Sequence, residues 1–256
     1  MGTALRDPSL AITANNLEGL DTEQKRMGEV SKHFEQALEL RRQLAQRNPG
    51  YMPDMANTLI NLANHDRTQR RFEEARQLYE EALKIHQHLA QENPDVYLPF
   101  LAITLNDLGT LDEIQIHRDD ARRHYEEALK DNRQLAQQTP GTYLPYLAMT
   151  LNDLGNLDGV QNRTDDARGH YEESSNIYRG LAQQDPDKYL PYVARTLNNL
   201  GFLGQILNRM DEARSHYQEA LTIFQKLDQS DPRYANDVTR VDASLQEVDK
   251  KILPIG

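Results

Sequence analysis

Apolar residues recur along this chain at intervals of three and four, and the pattern itself returns every 46 residues. Leu105, Leu108 and Leu111 make one stripe, and Leu151, Leu154 and Leu157 repeat it. The spacing predicts amphipathic helices with one buried face. Other positions keep the same interval: Pro94, Pro140, Pro186 and Pro232; Leu62, Leu108, Leu154 and Leu200; Ala75, Ala121, Ala167 and Ala213. TLNDLG at 104–109 returns unchanged at 150–155 and as TLNNLG at 196–201. An earlier, more degenerate copy fits once its loop is one residue shorter, with Leu17, Phe34 and Ala37 matching Leu62, Tyr79 and Ala82. Self-similarity at such a period is the mark of a repeat architecture.

Each copy reads as two helices. The first is expected to open near the Tyr-Leu-Pro segment, with proline where the first turn tolerates a missing N–H. A polar break such as Gln161-Asn162-Arg163-Thr164 follows. Acidic pairs, Asp165-Asp166 or Asp211-Glu212, then start the second helix, where negative charge complements the helix dipole. That helix is expected to stop at Asn93-Pro94, Thr139-Pro140 or Asp185-Pro186. Ala213, Tyr217, Ala220 and Phe224 form its apolar stripe, a small-aromatic order that lets two backbones approach around one ring. The units are set at 9–50, 51–96, 97–142, 143–188 and 189–232. Residues 1–8 form an N-terminal segment expected to be poorly ordered, and 233–256 a capping helix with a tail. In the cap Val238, Val241, Leu245 and Val248 make one narrow stripe, suited to one-sided docking.

These residues carry a resemblance. Leu-Gly in the first helix, alanine twelve residues after that glycine, an aromatic four further on and alanine three after that are Leu108, Gly109, Ala121, Tyr125 and Ala128, and again Leu200, Gly201, Ala213, Tyr217 and Ala220. The pattern resembles the tetratricopeptide (TPR) repeat. The usual repeat of that family has 34 residues, and at 46 the likeness is nearer to kinesin-light-chain-type arrays, which also carry Asn pairs before the leucine. The resemblance implies an all-α fold, a right-handed superhelical solenoid of antiparallel helix pairs. It also implies that the first helices line a concave wall. One departure is plain: the aromatic often found late in the first helix is replaced by Asp112, Asp158 and Gly204.

Asn and Asp are mediocre helix residues, so their recurrence on the face opposite the leucines asks for a cause. That face carries Asn57, Asn61, Asn64 and Arg67 in the second copy, and Ile103, Asn106, Asp107, Thr110 and Glu113 in the third. The fourth has Met149, Asn152, Asp153, Asn156 and Gly159, and the fifth Arg195, Asn198, Asn199, Phe202 and Gln205. Amides offer donor and acceptor groups together, so they suit the backbone of an extended peptide. In the kinesin-light-chain-like relatives groove asparagines play this part, which the resemblance carries to Asn106, Asn152 and Asn198. Asp107, Asp153, Asp112, Asp158 and Glu113 make the wall acidic, which favours a neutral or basic ligand. A clamp for a carboxylate tail would need cations, and only Arg67 and Arg195 qualify. The same asparagines serve equally well to cross-link neighbouring helices, and the residues leave both readings open.

Composition narrows the classes. The 256 residues carry a net charge of −11 with acids and bases interspersed, which argues against nucleic acid or an anionic membrane as partner. There is no cysteine, which removes thiolate zinc sites and cysteine nucleophiles. No stretch approaches a membrane span and no secretory leader is visible, so the expectation is a soluble, cytoplasmic protein. His33, His124, His170 and His216 share one register, but stacked repeats would hold them about 9–10 Å apart, too far to share an ion, and repeat copying accounts for them. No phosphate-cradling loop or nucleophile–base spacing appears. The expectation is a non-catalytic interaction module, without cofactor or metal, that binds an extended segment of a protein partner. The alternative is a structural scaffold that self-associates or joins a larger assembly, with the Asn ladder serving packing.

Overall fold

The computed structural model describes residues 27–252. The first-copy helix expected before residue 27 and the segment 1–8 lie outside the described residues. Ten α-helices are present among them: α1 (Met27–Arg47), α2 (Met52–Thr68), α3 (Phe72–Glu92), α4 (Pro94–Ile114), α5 (Arg118–Gln138), α6 (Pro140–Val160), α7 (Thr164–Ala182), α8 (Pro186–Ile206), α9 (Met210–Asp228) and α10 (Ala235–Ile252). Short 3-10 turns at Pro49–Tyr51 and Pro232–Tyr234 precede α2 and α10. The chain is all-α and its helices pack sequentially in antiparallel pairs, a TPR-like fold.

It divides into two compact units, residues up to 131 and residues from 132. In the first, α1 packs on α2, α2 on α3 and α3 on α4. Leu38, Leu59, Leu62 and Ala82 fill one core there, and Ala63, Ala75, Tyr79, Leu108 and Leu111 another. In the second, α6 to α10 pack in chain order around Tyr178, Val193, Leu197, Tyr217, Phe224, Val241 and Val248. Burying such a side chain contributes about 1.5–3 kcal/mol. Val238 and Leu245 pack beside this second core from α10, as the stripe on that helix predicts.

The ring in each second helix sets how close the paired helices come. A Cβ added at Gly109 would meet Tyr125 Cε1 at 2.5 Å, and one at Gly155 or Gly201 would meet Tyr171 or Tyr217 at 2.6 and 2.7 Å. Glycine at these three positions lets the ring lie against the first helix, whereas the second pair seats Tyr79 against Ala63.

The turns within the pairs are also copied. Arg70, Ile116, Asn162 and Asn208 all have φ between 55° and 64°. In each case the next residue's N–H reaches back to the carbonyl five residues earlier, as His117 does to Asp112 at 2.8 Å and Arg209 to Gly204 at 2.8 Å. This is the Schellman closure, usually built on glycine.

The first helices open three residues earlier than the Tyr-Leu-Pro segment suggested. Asn93 caps both α3 and α4, so Pro94, Pro140 and Pro186 occupy the first helical position. Pro99, Pro145 and Pro191 then sit inside the helices. Each costs one backbone hydrogen bond, but the carbonyl left over belongs to the first turn at Asp95, Gly141 or Asp187, all exposed, where water satisfies it.

Candidate functional site

The polar face of the first helices splits into exposed amides and amides engaged by their neighbours. In the first unit Asn57 and Asn61 on α2 are exposed. One turn further Asn64 is half-buried, and its Oδ1 accepts from Tyr79 Oη at 2.7 Å and from Arg67 Nη2 at 3.2 Å. Asp107 on α4 joins this group. Burial raises its carboxyl to about 6, against the opposing pull of the Arg67 charge and the Asn64 hydrogen bond. Burial also raises Glu113, whose Oε2 accepts from Tyr125 Oη at 2.7 Å. Asn106 is only 5 % exposed, more buried than its counterparts Asn152 and Asn198.

In the second unit the asparagines meet across helices. Asn199 Nδ2 on α8 donates to Asn152 Oδ1 at 3.2 Å and Asn156 Oδ1 at 3.1 Å, both on α6. Thr196 Oγ1 lies 3.4 Å from the same Asn152 oxygen, and Tyr171 Oη donates to Asn156 at 2.9 Å. Beside this cross-link lies an open cleft of about 360 Å³, lined by Asn152, Arg195, Asn198, Asn199, Asp237 and Arg240. Arg240 is ion-paired to Asp237 one turn away. Asp153 and Phe202 complete the row, and Phe202 is 60 % exposed. The wall therefore gathers Asn64 with Asp107 in one unit, and Asn152, Asn156, Asn198 and Asn199 in the other.

Sequence reasoning missed two sets of residues. Asp237 and Arg240 reach the cleft from the capping helix, which follows the repeat's opening proline, Pro232, but carries none of the asparagine pairs that drew attention to the other first helices. Asp112 and Asp158, expected to make the wall acidic, do not reach it: both are wholly buried and bind the histidines twelve residues on. His124 Nδ1 lies 2.7 Å from Asp112 Oδ2, and His170 Nδ1 lies 2.8 Å from Asp158 Oδ2. Arg76 reaches Asp112 Oδ1 from the preceding second helix. Burial would raise Asp112, but the His124 and Arg76 hydrogen bonds and charges hold it below the usual carboxylate range. The shared interval of twelve at 112/124 and 158/170 is the signal that would have found these pairs.

The carboxylates are enclosed between helices, and the pairs tie a first helix to its partner, with His170 half-buried at the edge of its pair. Among the described residues Asp112, His117 and Asp120 bring ligand atoms within 4.8 Å of one another. The Arg76 guanidinium already sits on Asp112 and lies 3.1 Å from His117 Nδ1, so a cation has no place there.

Two tetratricopeptide repeat family models match, one over residues 54–134 and another over 193–227. Both fall on the helix pairs just described. The chain is a tetratricopeptide repeat protein. Among solved structures its TPR fold is similar to BtubC (BKLC) from P. vanneervenii, at 22 % identity and TM-score 0.62 over 88 % of this chain and 90 % of that one. It is also similar to the nearly identical TPR-like repeats of a putative kinesin light chain from Podospora anserina, at 14 % identity and TM-score 0.61 over 86 % and 98 %. A third, PilF of Pseudomonas aeruginosa, shares 16 % identity with TM-score 0.56 over 97 % and 94 %. No curated protein matches at the level of sequence. TPR repeats make this a protein–protein interaction module of a typically non-catalytic family. No helix among the described residues is long and apolar enough to cross a membrane.

Proposed function

We propose that the chain holds an extended, neutral-to-basic segment of a partner protein on the amide-bearing faces of its first helices. The carrying observation is that Asn57 and Asn61 are exposed while Asn152 and Asn198 line an open cleft. Exposed amides pair with a peptide backbone in either direction, donor or acceptor, without dictating its side chains. Asp107 and Glu113 add negative charge on α4, which favours a cation in that part of the ligand. Ala at Asn57, Asn61 and Asn198 together should lower peptide affinity at least about tenfold, the loss of one net hydrogen bond's worth or more. The melting temperature should stay unchanged, because none of the three packs in a core. Unchanged affinity would remove the reading.

The Asn199–Asn152–Asn156 cross-link favours a second reading for those three residues, that they join α6 to α8 as packing. The scaffold alternative extends this to self-association through the exposed Phe202. Light scattering across a concentration series separates the two, since a constant monomer mass leaves the peptide reading standing alone.

A further inference from the structure

Each full first helix begins with a ring left half in solvent. Phe100 on α4 is 39 % exposed, Tyr146 on α6 is 38 % and Tyr192 on α8 is 41 %. They are 46 residues apart, so they are copies of one position rather than scattered surface aromatics. In the second unit Tyr146 shares a helix face with Met149 and Asp153, and Tyr192 shares one with Arg195 and Asn199, at steps of three and four. The rings are held, not loose: Tyr192 stacks on buried Tyr178 at 5.0 Å with planes 18° apart, and Tyr146 lies 6.4 Å from Tyr143.

α6 and α8 are tied side by side by the asparagine cross-link, which sets them about 8–10 Å apart. A polyproline II helix advances about 3.1 Å per residue and presents the same side every three residues, about 9.3 Å. An extended β-strand turns residue i+3 to the opposite face. An α-helix repeats at about 10.5 Å over seven residues, but its backbone is already hydrogen-bonded internally and has no use for the amides. Polyproline II leaves every carbonyl unpaired and meets amide donors and flat rings together. Charge agrees. The second unit's wall carries Asp153 and Asp237 against Arg195 and Arg240, which cancel.

We infer that the α6–α8 wall of the second unit binds a neutral proline-rich segment as a polyproline II helix, with prolines three residues apart seated on Tyr146 and Tyr192 and its carbonyls facing Asn152 and Asn198. This rests on the peptide-binding reading above and names the ligand class for that unit.

The test is calorimetric titration of the full chain with three capped twelve-residue peptides: four repeats of Pro-Pro-Ala, of Gly-Ser-Ala and of Lys-Gly-Ser. The proline peptide should bind at least about tenfold more tightly than Gly-Ser-Ala, since it seats prolines on two rings and starts from a preformed polyproline II backbone. Tyr192→Phe should keep that affinity, because the ring and not its hydroxyl is used, while Tyr192→Leu and Tyr146→Leu should each weaken it several-fold. Tyr146→Leu guards the result, since that ring has no buried stacking partner whose loss would disturb folding. Equal affinity for the two neutral peptides, or proline binding untouched by both leucine variants, overturns the inference. Binding of the lysine peptide alone also overturns it while leaving the peptide groove in place. Binding of none of the three overturns both.

Discussion

The third and fifth helix pairs, α4–α5 and α8–α9, are built on the same register and differ at its most buried polar point. In the third, Asp112 receives His124 from its own pair and Arg76 from the helix before. In the fifth the equivalent residue is Gly204, and both donors lose that acceptor. His216 Nδ1 is buried without a hydrogen-bond partner, and so is Nε of Arg168, whose guanidinium turns instead to Glu212 at 3.1 Å. The backbone has closed over the vacancy: a Cβ at Gly204 would meet Ala213 N at 3.1 Å and Ala213 Cα at 3.2 Å. A buried carboxylate and a close helix contact are thus alternative ways to finish the same joint. The copied donors outlast the acceptor they match.

The largest effect should come from taking the carboxylate away where it is used. Asp112→Ala leaves Arg76 and His124 facing a dry interior and should cost about 3–5 kcal/mol, read from urea denaturation followed by circular dichroism. Because Asp112 titrates below its ordinary value, its contribution is present above the unfolded carboxylate pKa. It is lost as pH falls through the lowered folded value, so wild type and variant should converge in acid. The reverse change, Gly204→Asp, should destabilise despite offering His216 and Arg168 an acceptor, because its Cβ would press on the Ala213 backbone at 3.1–3.2 Å and force the two helices apart by a few tenths of an ångström. Stabilisation by Gly204→Asp would break the comparison. Next comes the ring contact common to both pairs. Gly109→Ala and Gly201→Ala push a methyl into Tyr125 and Tyr217 and should cost about 1–3 kcal/mol. The second pair, which has Ala63 at this position against Tyr79, marks how far the helices must part to admit it.

Much of this was legible before any coordinates. The 46-residue period, the leucine stripe and the glycine–aromatic pairing each involve one residue type at one spacing, and copying amplifies them. The Asp–His joint was not read, because Asp112 and His124 lie on different helices and each has an ordinary local explanation: a lost aromatic, a copied histidine. The helix starts were misplaced for a related reason. Pro99 and Pro94 both fit a first turn locally, and only the double role of Asn93 as cap of two helices decides between them. On the candidate wall the residue types were right and their exposure was not legible. Asn106, Asn152 and Asn198 share a register, yet Asn106 is buried, Asn152 is cross-linked to Asn199 and Asn198 lines the cleft. Small differences in helix packing, invisible in a copied motif, set that outcome.

A smaller effect sharpens the same contrast at the turns. Asn208 closes the fifth pair in the left-handed region with φ 55°, which Asn tolerates, whereas Ile116 closes the third with φ 64°. A β-branched residue is strained there. Ile116 is also exposed, so its side chain recovers little by burial. Ile116→Asn should raise stability by about 1 kcal/mol, shifting the urea midpoint upward without changing the slope. A loss would mean that the isoleucine has a packing role in the third pair which the fifth does without.

The smallest effect concerns the stranded histidine itself. His216 is held below its ordinary pKa of 6.5 chiefly by burial, with the Arg168 charge acting in the same direction and Glu212, Glu219 and Glu172 opposing. In the unfolded chain the ring recovers its ordinary value, so between the lowered folded pKa and about 6.5 the unfolded state binds more protons. Stability contributed through this group is therefore complete above about pH 6.5 and falls as pH drops toward the folded value. The second pair already carries the apolar solution at this register, Leu78. His216→Leu should therefore gain about 1 kcal/mol, the order of cost for an unpaired buried ring nitrogen. The gain should be larger at pH 5.5 than at pH 7.5, because the variant has no ring to protonate on unfolding. A gain independent of pH would show that only the unpaired nitrogen matters. A loss at both pH values would mean that the fifth pair uses its histidine after all, and that the missing carboxylate is replaced by something other than close packing.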